Sequence, residues 1–279
     1  MGRLRLVGDT QTDARFLAGR RSRRTTQAFL ETSNVKLSCT QAPRGIHWHL
    51  RVRNGAGAAA VVGDAVGLPG IAAIAFAHGL AIMAFAFAYG PVSGGHMNPA
   101  VTVGVLAAGA MRAGEAAGYI VSQLVGGVIG ALLLRAVLGG AATGLGVPAL
   151  AHNLTLGATT VTVTPTAGFV IEAVLAFFLV TVVLSTAVAG RAGNLAPLAI
   201  GMTLTLNIIM GGALTGAAFN PARALGPMIV TGNLNDAWLY VAAPIVGAIV
   251  AAMVHAGLTR LARPPTVAEP GRPAPTPAG

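Results

Sequence analysis

The sequence predicts an all-α membrane protein built as an inverted repeat, with two half-helices meeting near the bilayer midplane. Three observations carry this. Of 279 residues, 54% are hydrophobic and only 9% are charged, with a mean hydropathy of +0.72, which belongs to membrane proteins rather than soluble domains. Apolar runs of spanning length recur from residue 70 onward. One short pattern occurs twice: Ser93-Gly-Gly-His-Met-Asn98-Pro99-Ala100-Val-Thr102 and, 122 residues later, Thr215-Gly-Ala-Ala-Phe-Asn220-Pro221-Ala222-Arg223-Ala224.

Each copy interrupts apolar sequence with small residues and then restarts a helix. Asn is a good helix N-cap and Pro is favoured at the first helical position, so Asn98 to about Ala108 and Asn220 to Val230 read as half-helices. Lipid offers no hydrogen-bond partners, so such irregular backbone must be buried in protein or line a watery cavity. The two copies are therefore expected to enter from opposite faces and meet. The full spans follow in order: Gly70–Tyr89, free of Lys, Arg, Asp and Glu; Glu115–Leu138, carrying Gln123; Ala167–Ala189, with an interior Glu172; Leu195–Leu214; and Ala237–Leu261. Between the second and third lies an uncharged Thr- and Gly-rich loop, Gly139–Pro165. Small residues such as Gly126, Gly127, Gly130 and Ala131 suit close helix packing.

The formal charge of +10 is concentrated in one place. Residues 1–53 hold eleven Lys/Arg against three Asp/Glu, a net +8, and the other 226 residues carry only +2. An arm with Arg20-Arg21-Ser22-Arg23-Arg24 invites a transit peptide, an anionic-lipid tail or a nucleic-acid arm, but it shows no helical periodicity. No nucleic-acid partner is expected for the chain as a whole. A single cysteine, Cys39, excludes an intramolecular disulfide framework. The Pro- and Ala-rich residues 263–279 cannot build a core and are expected to be disordered. Three regions result: 1–53, 54–262 and 263–279.

The paired Asn-Pro-Ala motifs at this spacing resemble those of the aquaporin, or major intrinsic protein, family, and the resemblance covers roughly residues 55 to 262. It implies six spans, one pore per subunit and a homotetramer. Here there are five full spans plus a remnant of the first, Gly55–Gly63, and the Gly-Thr-Phe start and buried Glu of the family's first span do not appear. Trp48-His49 is encoded TGG-CAY, which one nucleotide later reads Gly and then Thr or Ile, and the codons that follow permit Phe-Ala-Phe-Val. Residues upstream of about 54 are therefore expected to be a frameshifted or mis-started translation.

The pore chemistry expected is conduction without reaction. Asn98 and Asn220 offer side-chain N–H groups at half-helix tips where the dipoles place partial positive charge. A water between them accepts from both, its hydrogens turn outward, and the single file is broken as a proton wire. Arg223 is a charge in an apolar region, which either lines a pathway or snorkels to the headgroups. The resemblance places it in the family's outer constriction, together with His78, Ile208 and Ala217 at matching offsets from the motifs. This set is similar to that of the vacuolar plant branch and implies water with ammonia, urea or hydrogen peroxide as small neutral solutes. Glycerol channels carry Asp directly after the motif Arg, where this chain has Ala224. By the same resemblance Glu172 is a scaffold supporting a half-helix, and Gln123 is grouped with it as structural.

Two alternatives belong to other classes: a coupled secondary transporter, which would need a titratable cluster at the midplane, and a non-conducting structural product. A glycerol-type facilitator is a variant of the channel. No metal-ligand spacing, phosphate loop or nucleophile–base set occurs, so no cofactor, metal or enzyme activity is expected. Arg112, Arg191, Arg260, Arg263 and Arg272 fall on one face of the expected topology, whereas the loop 139–165 has no Lys or Arg. The positive-inside rule makes the first face cytoplasmic. A multi-pass integral protein of the cell membrane, plasma or inner, is the expected setting.

Overall fold

The computed structural model describes residues 70–261. The basic arm, the first-span remnant and the Pro-rich tail lie outside the described residues. Seven α-helices follow in chain order: α1 (Gly70–Ser93), α2 (Pro99–Ala107), α3 (Ala113–Val137), α4 (Pro165–Val183, continued by a π-helical turn Leu184–Val188), α5 (Ala196–Thr215), α6 (Pro221–Thr231) and α7 (Ala237–Leu261). Five of them, α1, α3, α4, α5 and α7, are long and apolar enough to cross a membrane. With 9 and 11 residues, α2 and α6 reach only about 14 and 17 Å at ~1.5 Å per residue, half of a ~30 Å hydrocarbon layer.

Side-chain caps and prolines start these helices. Asn98 Oδ1 accepts from the Ala100 N–H at 2.8 Å, and Pro99 takes the first position of α2. Asn220 Oδ1 accepts from the Ala222 and Arg223 N–H groups at 3.1 and 3.2 Å, ahead of Pro221. Thr164 caps α4 through the Ala167 N–H, with Pro165 next. An orphan N–H is thus satisfied, or absent, at each start.

The spans are apolar all round, so a hydrophobic stripe does not choose the packing face; glycines do. A Cβ on Gly79 of α1 would lie 2.6 Å from the Gly201 carbonyl oxygen of α5 and inside Thr205, while Gly212 of α5 abuts Ile71 of α1. The pairing of 71 with 212 and 79 with 201 makes α1 and α5 antiparallel. Their following re-entrant loops therefore start from opposite faces, as an inverted repeat requires. Gly127 of α3 meets the Ala222 carbonyl of α6, where a Cβ would stand 2.5 Å away. Gly247 of α7 rests on the backbone of Ala173 in α4, and Gly104 lets α2 settle between Val180 of α4 and Ala248 of α7. Gly79→Val is expected to abolish recovery of monodisperse protein in detergent. Gly118→Ala, where no described atom lies within 4 Å of the new Cβ, should match or slightly exceed the parent in thermal stability. Size-exclusion yield and thermal unfolding compare the two. Outward-facing Phe76, Leu80, Val121, Leu132 and Met253 form the apolar surface that lipid would cover.

The loop 139–165 holds more structure than its composition announces. It contains a tight turn at Gly144–Gly146 and a two-stranded antiparallel hairpin, Leu154–Leu156 with Thr159–Val161, in which Leu154 stands opposite Val161. The two-residue connection is Gly157-Ala158, and Gly157 at φ +60° supplies the left-handed backbone that such tight hairpins need. Upstream of the hairpin, Ala151 N–H donates to the Leu214 carbonyl at 2.8 Å and Leu150 packs over Gly168. The loop is thereby laid across the ends of α4 and α5.

Candidate pore at the paired half-helices

The two motif loops are tied to each other by a reciprocal pair of hydrogen bonds. Asn98 Nδ2 donates to the Phe219 carbonyl at 2.8 Å, and Asn220 Nδ2 donates to the Met97 carbonyl at 3.0 Å. The amide orientations follow from the network: each Oδ1 faces backbone N–H groups and each Nδ2 faces a carbonyl, so a flip would oppose like groups at both ends. One hydrogen of each NH₂ is committed across the interface and one is left. One N–H of each Asn thus remains to meet a passing water, in keeping with the expectation that such a water accepts from both residues.

Both Asn side chains line a cavity of about 660 Å³, bounded also by His96, Leu179, Ile200 and Leu204. Its wall is largely apolar, and its polar residues are His96, Asn98 and Asn220 at the motif loops and Asn194 ahead of α5. His96 packs against Tyr119 in a tilted arrangement at a centroid distance of 5.0 Å, and Gln123 Nε2 donates to the His96 carbonyl at 2.9 Å and to Thr102 Oγ1 at 3.0 Å. Gln123 thus braces the first loop from α3.

Glu172 braces the second loop from α4. It is fully buried, and its Oε1 accepts from the Thr215 hydroxyl at 2.6 Å and the Ala218 N–H at 2.9 Å, while Oε2 accepts from the Phe219 N–H. A buried carboxylate accepting three donors satisfies groups that apolar surroundings cannot. Tyr240 on α7 completes the support by donating its hydroxyl to the Thr215 carbonyl at 2.7 Å. Tyr240 is not among the site residues expected from the sequence. The available signal was that a tyrosine inside an apolar span must find a partner for its hydroxyl.

The four positions assigned to the outer constriction fall on four pieces of chain. His78 is buried on α1, and its Nδ1 donates to the Ile74 carbonyl at 2.9 Å, which fixes a hydrogen on Nδ1. Ile208 is buried on α5; Ala217, at φ +39°, belongs to the second motif loop and shares a buried cluster with Ile208. Arg223, half-buried on the first turn of α6, extends its guanidinium so that Nη1 donates to the Gly146 carbonyl at 3.1 Å. Gly146 was not singled out in the sequence, because a backbone acceptor in a long loop carries no residue-type signal. Among the described residues there is no group of three or more His, Cys, Asp or Glu able to hold a metal.

A sequence model of the family described as Major intrinsic protein matches residues 46–255. The chain belongs to the major intrinsic protein family. Aquaporin NIP1-2 of Oryza sativa subsp. japonica is 39% identical over 206 residues, covering 72% of this chain and 65% of that relative. Aquaporin TIP1-2 of Zea mays is 39% identical over 196 residues, covering 69% and 73% respectively. The X-ray structure of the aquaglyceroporin from Plasmodium falciparum superposes with a TM-score of 0.64 at 22% identity, covering 79% of this chain and 97% of that one, a likeness of fold. This major intrinsic protein is an integral, multi-pass membrane protein. Its fold is the all-α inverted repeat expected from the paired motifs, with both half-helices present.

Proposed function

We propose that this chain is a passive channel for water and for small neutral solutes such as ammonia, urea and hydrogen peroxide, excluding protons and ions. The observation that carries the reading is the reciprocal Asn98–Asn220 arrangement at the opposed tips of α2 and α6, with both side chains on one cavity. A water reaching that point accepts from the remaining N–H of each Asn and sits in the positive field of two helix N-termini. Its own hydrogens must then point along the path, which interrupts proton hopping, and the same field repels cations. At the outer end His78, Ile208, Ala217 and Arg223 form the selectivity filter. Arg223 supplies fixed donors and positive charge, and Ile208 supplies an apolar wall that widens the opening relative to a second imidazole. The plant relatives named aquaporins support the same reading. The proposed setting is a homotetramer in the cell membrane, plasma or inner, with Arg112 and Arg191 on the cytoplasmic side.

Stopped-flow osmotic shrinkage of proteoliposomes containing the full chain tests this. Water permeability well above that of protein-free vesicles, unaffected by imposed pH or sodium gradients, is expected. Arg223→Val should raise the urea-to-water permeability ratio severalfold. Permeability equal to that of lipid alone would favour the non-conducting reading, and gradient-dependent flux would favour a coupled transporter.

A further inference from the structure

The turn Gly144–Gly146 contains a strained residue whose strain has no local need. Leu145 lies at φ +49°, ψ 24°, the left-handed region that disfavours a side chain, between Gly144 at φ +68° and Gly146 at φ +73°, which adopt it freely. A third glycine would make the same turn without strain. Instead the middle position carries a leucine that is only 1% exposed, in a turn lying against α3 and α6. Strained backbone of this kind persists where surrounding contacts over-determine it, and it concentrates at functional sites.

The next carbonyl in the chain is the one that receives the Arg223 guanidinium at 3.1 Å. Val147 N–H closes the turn onto the Gly144 carbonyl at 2.9 Å, and Pro148 then lies against Gly216, immediately before Ala217. One short strap therefore backs two of the proposed filter positions. A long arginine side chain has many rotamers, and an acceptor fixed in space narrows them.

We propose that Leu145 is a specificity-determining positioning residue: its buried side chain pins the left-handed turn that presents the Gly146 carbonyl to Arg223. The inference rests on the channel reading above and adds to it a residue outside the pore wall. Loss of the Leu145 side chain lets the carbonyl drift, the guanidinium samples other positions, and solutes larger than water are rejected less well.

The test uses full-length protein in proteoliposomes, with urea and water permeabilities read on the same preparations. Leu145→Gly relieves the backbone strain but removes the buried side chain. It is expected to raise the urea-to-water ratio about fivefold, equivalent to about 1 kcal/mol of discrimination. In an Arg223→Val background the same substitution should leave the ratio unchanged, and Leu145→Met, which keeps buried bulk, should behave as the parent. Should Leu145→Gly fail to insert, Leu145→Ala carries the same comparison. An unchanged ratio in the Arg223 background, or an equal rise in both backgrounds, overturns the inference, because a merely structural role would not depend on Arg223. A parent that conducts no water would defeat the channel reading itself, a distinguishable outcome.

Discussion

Replacing Glu172 by Leu is expected to abolish recovery of folded protein. Three buried donors, the Thr215 hydroxyl and the Ala218 and Phe219 N–H groups, converge on its two oxygens. Orphaning a buried donor costs about 1–3 kcal/mol, so the three together approach about 3–9 kcal/mol, against total stabilities of about 5–15 kcal/mol. Glu172→Gln separates the roles of the two oxygens. Its amide oxygen can take the place of Oε1, which serves Thr215 and Ala218, leaving only the Phe219 N–H opposed by an NH₂. Stability should therefore fall in the order parent, Gln, Leu, measured as thermal unfolding midpoint and monodisperse fraction in detergent. A leucine variant as stable as the parent would show that the second loop is held by other contacts.

Asn220→Asp should preserve the fold yet change what passes. The carboxylate still accepts from the Ala222 and Arg223 N–H groups, and a negative charge suits a helix N-terminus. The donor to the Met97 carbonyl is lost, however, and a unit negative charge appears on the cavity wall. At about 4 Å and an effective dielectric of about 20 that charge attracts a cation by about 4 kcal/mol, roughly a thousandfold in local occupancy. A sodium or proton leak, absent from the parent, is expected in vesicles carrying a pH-sensitive dye, together with slower water flux. Inserted Asn220→Asp protein that remains tight to both ions would remove the half-helix tips from the account of ion exclusion.

The fold was legible wherever local chemistry dictates an element. Asn-Pro at a chain restart fixed where α2 and α6 begin, and the α7 limits Ala237 and Leu261 follow from hydropathy alone. Which faces meet was not legible, because helices apolar on every side carry no amphipathic phase. Gly79, Gly127 and Gly247 decide it through close approaches that appear only when the partner backbone is in place. At the candidate pore, Glu172 could be located as a buried charge, but its three donors could not. The hairpin at 154–161 and the turn at Leu145 carry no sequence signal, since short Thr- and Gly-rich segments show no periodicity. The π-helical turn ending α4 likewise has no residue-type signature in Leu184–Val188.

The crossed hydrogen bonds between the two loops also impose an order on biogenesis. Asn98 finds its acceptor at Phe219 and Met97 its donor at Asn220, so the first loop cannot reach its final state until the second has been made. At about 5–20 residues per second, the 122 intervening residues keep a ribosome occupied for roughly 6–24 s. During that interval the first half-helix must wait in the membrane with part of its polar backbone unmatched by its final partner. The junction between the two loops is thus a late contact, and a nascent chain stopped before Asn220 lacks it.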